Sequence, residues 1–125
     1  DMDFSDLTVS EIIVNSAGND CLDVSGGKYI VHNFLATDCG DKGLSVGEKS
    51  VFESSKLTIT DSILGISSKD SSVTKIGSAR ILKTPNCFES KRKKQEFGGA
   101  YIQFDSLDCA GLIETDSNSI AKVLQ

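Results

Sequence analysis

Tryptophan is missing from this chain, and proline, methionine and histidine occur once each, as Pro85, Met2 and His32. One histidine, with no paired cysteine spacing, leaves no pattern for a zinc site. No apolar run approaches the length needed for a membrane-spanning helix, and no signal peptide is legible. Positive charge is in deficit: 13 Lys and Arg stand against 18 Asp and Glu, a net charge of −5. That balance disfavours nucleic-acid binding through phosphate neutralisation. Apolar residues make up 38%, below an ordinary globular share, yet no long low-complexity stretch signals disorder. Eleven glycines in 125 residues fit one domain, residues 1–125, with a thin core and many tight corners.

What the chain does have is a period. Leu22, Leu44, Ile66 and Phe88 recur at one constant interval, each preceded by Cys21, Gly43, Gly65 or Cys87. The interval is too long for a helix or hairpin and fits one turn of a coiled β-solenoid. Five stretches align on it: 2–9, 30–37, 52–59, 74–81 and 102–109. Down their columns, Leu7, Leu35, Leu57, Ala79 and Leu107 are apolar, and so are Met2, Ile30, Phe52 and Ile102. Polar columns such as Asp3, Val31, Glu53, Lys75 and Gln103 lie between them. Alternation of period two predicts strands with one face inward. The expected fold is all-β, a right-handed single-stranded parallel β-helix of about five turns, right-handed because parallel crossovers default to that hand. The outer steps, Met2 to Ile30 and Thr74 to Ile102, are longer than the inner ones. They predict short insertions, one around residues 15–19 and one over residues 91–99. The tail from Gly111 reads as a last partial turn. The start at Asp1-Met2-Asp3-Phe4 already fits the repeat, which suggests a mature product or an excised part of a longer solenoid.

With these columns in place, the chain resembles the right-handed parallel β-helix proteins of the pectate-lyase-like class. Phrases such as Asn19-Asp20-Cys21-Leu22-Asp23-Val24-Ser25-Gly26 are similar to repeat units of its bacterial surface and polysaccharide-associated members. The resemblance implies a groove for polysaccharide along one stacked sheet and an extracellular or cell-envelope setting. It supplies no catalytic motif, so no catalytic residue is assigned.

Candidate residues follow from the columns. Tyr29, Val51, Val73 and Tyr101 form an outward or edge column, where Tyr29 and Tyr101 can stack on sugar rings or pack under a loop. Lys91, Arg92, Lys93 and Lys94 open the second insertion and can attract an acidic polysaccharide. Asp38, Asp41 and Asp61 gather near one corner, where oxygen ligands can hold calcium or where Asp bonds its own backbone. No other cofactor is expected. His32 falls in an inward column and reads as a core histidine, not a site. Arg80 and Asp108 share an outward column and read as a weak cross-strand ion pair. Cys21 and Cys87, three turns and about 14 Å apart at the ~4.8 Å strand spacing, are too distant to bond. Cys21 to Cys39 stays geometrically open, while buried free thiols are the simpler expectation and argue mildly against an oxidising compartment.

The expected function is a non-catalytic module that binds polysaccharide or oligosaccharide, or packs against further solenoid turns or another chain in a surface assembly. The alternatives are a fragment of a polysaccharide lyase, epimerase or hydrolase, and a purely structural spacer.

Overall fold

Alternating side chains and tight corners build ten strands and, among the described residues, no helix: β1 (Met2–Ala17), β2 (Leu22–Cys39), β3 (Lys42–Gly47), β4 (Val51–Thr60), β5 (Leu64–Lys69), β6 (Val73–Leu82), β7 (Asn86–Lys91), β8 (Tyr101–Asp108), β9 (Leu112–Thr115) and β10 (Ile120–Val123). The computed structural model describes residues 1–124. Every strand pairing is parallel. The sheet runs β10-β8-β6-β4-β2-β3-β5-β7-β9, with β1 laid on β2. This is a parallel β-solenoid of about six coils.

Each coil has three faces. In the second coil these are residues 22–25, 28–31 and 33–37, all within the bent strand β2. The first face continues in β3, β5, β7 and β9. The second and third faces share β4, then β6, then β8, and β10 closes the second. The bend between the first two faces of β2 falls on Gly26 and Gly27, both at positive φ. A Cβ on Gly27 would lie 1.9 Å from the Ser5 carbonyl oxygen, so only glycine fits where the first coil crosses. The corner from third face to first face is left-handed at Ser16, Asp38, Asp61 and Lys83 (φ 50 to 64°). Short polar side chains tolerate that conformation best, and three of these four residues have them.

Inward ladders make the core. Phe34, Leu57 and Ala79 stack on the third face and Tyr29, Phe52, Thr74 and Ile102 on the second. Phe34, Leu57, Phe52 and Ile102 are all at 0% exposure, each such aliphatic or aromatic side chain contributing about 1.5–3 kcal/mol. Phe34 meets Phe52 edge-on at 6.4 Å, and Phe88 packs on Phe104 at 5.1 Å. Where the first-face ladder turns polar, the hydroxyls satisfy one another: Ser68 bonds Ser72 at 2.8 Å and Thr74 donates to Ser68 at 3.0 Å.

Two register expectations are corrected. Between the second and third coils the second and third faces advance by one residue more than the first face does. Tyr29 therefore pairs with Phe52 and Phe34 with Leu57, while the first face keeps its even step from Leu22 to Leu44. The corner between β3 and β4 holds one residue more than the Gly26-Gly27 corner. As a result Leu35 pairs with Thr58 and points outward, away from Leu57. His32 is exposed and Tyr29 is enclosed at 1% exposure. The first coil also has no insertion at residues 15–19: Met2 pairs with Val24 and Ala17 with Cys39, the same step throughout. The second insertion is where the spacing puts it, since the step from Val73 to its partner Tyr101 is longer than that from Val51 to Val73.

The cysteines are not free thiols. Cys21 is bonded to Cys39 (Cα–Cα 5.4 Å) and Cys87 to Cys109 (Cα–Cα 6.1 Å). Each bond joins the start of one coil's first face to the close of its third. In the two coils between, glycine and isoleucine fill the same corner. A Cβ on Gly43 would meet Ile59 at 2.6 Å, and one on Gly65 would meet Ile81 at 2.9 Å. Cys109 occupies the rung after Ile59 and Ile81, so the disulfide replaces a large-on-small plug.

Candidate functional site

Outward positions of the second face line up as two rows. Lys28, Val51, Val73 and Tyr101 are successive rungs of one row; Ile30, Glu53, Lys75 and Gln103 are successive rungs of the other. Val51, Val73 and Tyr101 are half-buried, so an apolar strip runs beside a polar one. The polar row and the following corner form a groove of about 560 Å³, with His32, Gly77 and Asp105 along its edge. At Gly77 two coils approach closely: a Cβ there would come within 2.5 Å of the Ser55 carbonyl oxygen. The Tyr101 hydroxyl donates to Gln103 Oε1 at 2.5 Å, which fixes the ring against the polar row. Glu53 and Lys75 are direct neighbours in the ladder, yet neither has an ion-pair partner within 4.0 Å among the described residues. A half-buried ring, an aliphatic strip and polar ends without ion-pair partners thus share one surface.

The sequence-derived candidates distribute unevenly around this groove. Tyr101 borders it. Tyr29 does not: it lies in the core, its hydroxyl donating to the Met2 and Ser25 carbonyl oxygens at 3.3 Å. A ring enclosed there cannot stack on a ligand. His32, read from the sequence as core, stands at the groove's edge because of the one-residue register step. Glu53, Lys75 and Gln103 were legible as an outward column, but polarity in a column does not by itself distinguish a groove from a solvated face.

The basic run folds over the corner between first and second faces, and the first and last of its four charges are engaged. Lys91 pairs with Glu89 at 3.1 Å and Glu114 at 3.9 Å, and Lys94 pairs with Glu48. The loop is held by Asp70, which is 1% exposed and accepts the Lys93 and Lys94 amides at 2.6 and 2.8 Å. Arg92 and Lys93 keep exposed side chains. The expected Arg80–Asp108 pair forms at 3.7 Å, fully on the surface.

The three aspartates do not converge. Asp38 and Asp61 occupy the left-handed corner, where Asp38 Oδ2 accepts the Ser16 hydroxyl at 2.9 Å. Asp41 stands apart, paired with Lys42 at 2.8 Å. Among the described residues no three His, Cys, Asp or Glu side chains are placed to hold a metal ion. Corner geometry accounts for Asp38 and Asp61.

Two lysines on the outer side of the first face are displaced from the ordinary lysine value in opposite directions. Burial opposes the charged form of Lys42, but its hydrogen bond to Asp41 and the charges of Asp20, Asp41 and Glu89 outweigh this and hold its ammonium above the ordinary lysine value. Burial, with Lys42 and Lys93 adding repulsion, pushes Lys69 below it. Lys69 donates to Ser45 Oγ at 2.9 Å. Ser45 is 1% exposed, closed to any reactant, so the pair is a structural hydrogen bond and not an activated nucleophile. The chain matches no protein-family profile, no curated protein and no solved structure; its parallel β-solenoid is established by its own strand register.

Proposed function

We propose that this chain is a non-catalytic carbohydrate-binding β-solenoid, with the groove beside Tyr101 as its binding surface. The observation that carries the reading is the pairing of an apolar, Tyr101-ended strip with a polar row whose Glu53 and Lys75 are left uncommitted. The pectate-lyase-like resemblance supports it, because that class handles polysaccharide along a stacked sheet. The two disulfides support an oxidising setting, extracellular or at the cell envelope, since cytosolic thiols are ordinarily kept reduced.

Binding on a glycan array, followed by titration calorimetry on the strongest hit, tests this. Tyr101→Ala is expected to weaken binding at least tenfold, while Arg92→Gln and Lys93→Gln leave it unchanged. Retention of full affinity by Tyr101→Ala, or no glycan bound by the wild type, overturns the reading.

A further inference from the structure

The charges of the groove are ordered along the solenoid axis. Glu53 stands on one rung, Lys75 on the next, Gln103 and the corner residue Asp105 on the next, and the row continues past the groove's lining to Lys122, paired in register with Gln103. The signs therefore run minus, plus, minus, plus, one step per strand spacing of about 4.8 Å. A pyranose ring is about as long as one such rung, so a glycan lying along the axis sets one sugar against each charge.

Alternation of this kind can simply let stacked side chains neutralise one another. Elsewhere on this molecule they do: Arg80 closes on its rung neighbour Asp108 at 3.7 Å, and Lys91 reaches Glu114 of the next coil at 3.9 Å. Along this row they do not. No ion pair within 4.0 Å joins Glu53, Lys75, Asp105 or Lys122 among the described residues. A uniformly anionic glycan meets a like charge on alternate rungs, and a neutral one leaves each charge to be desolvated without a partner.

From this we infer that the groove selects a zwitterionic glycan, one in which carboxylate-bearing and amine-bearing sugars alternate. Carboxylates face Lys75 and Lys122; ammonium groups face Glu53 and Asp105. The inference rests on the carbohydrate reading above and sharpens it to a ligand class.

Four oligosaccharides of equal length test it by titration calorimetry: glucuronic acid alternating with free-amine glucosamine, the same chain N-acetylated, oligogalacturonate, and oligoglucosamine. The zwitterionic chain is expected to bind at least tenfold more tightly than its N-acetylated form and than either uniformly charged chain. Glu53→Gln and Lys75→Gln are each expected to lower that preference severalfold, with the fold intact by circular dichroism. Equal affinity for the N-acetylated or uniformly charged chains, still lost on Tyr101→Ala, overturns the charge-matching inference and leaves the carbohydrate reading standing. Binding of none of the four, together with an empty glycan array, removes both.

Discussion

Replacing Cys87 and Cys109 together by alanine removes a cross-link whose two ends lie 22 residues apart in the chain. The loop-closure entropy restored to the unfolded chain is worth about 3 kcal/mol at 25 °C. For 125 residues this corresponds to a fall in Tm of roughly 10 °C. The structure also names a partial remedy. One and two coils earlier the same corner is filled by Gly65 with Ile81 and by Gly43 with Ile59, respectively. Cys87→Gly with Cys109→Ile copies that solution without any covalent bond. Burying the isoleucine regains about 1.5–3 kcal/mol, offset by roughly 0.5–1 kcal/mol for the freer glycine. Urea unfolding followed by far-ultraviolet circular dichroism, with the free thiols of unmodified protein counted before and after reduction, measures the series. The expected order of stability is wild type, then the glycine–isoleucine variant, then the double alanine variant. If the glycine–isoleucine protein is the least stable of the three, the corner is not interchangeable and the plug argument fails.

Two further expectations concern charge. Because burial holds the Lys69 ammonium below its ordinary value of 10.5, the folded state disfavours its charged form. Stability therefore rises as pH climbs from the folded value towards 10.5 and is lowest below it. Thermal melts of wild type and Lys69→Gln from neutral to strongly alkaline pH are expected to converge towards the alkaline end as the wild type gains; a wild type that loses ground relative to Lys69→Gln over that range contradicts the sign. Asp70→Ala frees the Lys93 and Lys94 amides that its carboxylate holds, and limited trypsinolysis after Arg92, Lys93 or Lys94 is expected to accelerate at least tenfold. Unchanged cleavage means the loop is ordered by something other than Asp70.

The period was readable because stacking repeats the same contact, and Leu22, Leu44, Ile66 and Phe88 do pair rung on rung. Register was harder. Leu35 and Phe34 are both apolar neighbours, and matching leucine to leucine across to Leu57 is the natural choice from composition. One extra residue at a corner, which no hydrophobic pattern records, decides for Phe34. That single step exchanged the fates of Tyr29 and His32. The first coil was misplaced for a related reason: Leu7, Val9, Ile12 and Val14 alternate equally well at two offsets. The Glu53–Lys75–Gln103 row was visible as an outward column, but whether its charges pair is a matter of side-chain reach. The disulfides were obscured because Cys87 and Cys109 bond within one coil, across a corner whose width depends on backbone conformation.

Each covalent bond ties a coil to itself and none ties one coil to the next. Under tension applied at its two termini, such a molecule peels strand from strand until it reaches a tied coil, which detaches as a closed ring and gives up no slack. The rings at Cys21–Cys39 and Cys87–Cys109 span sequence separations of 18 and 22, withholding about 60 and 75 Å of extension at ~3.4 Å per residue. Under load, oxidised protein is thus shorter at full stretch than reduced protein by that combined length, and the middle coils plugged by Gly43 and Gly65 are free to pay out.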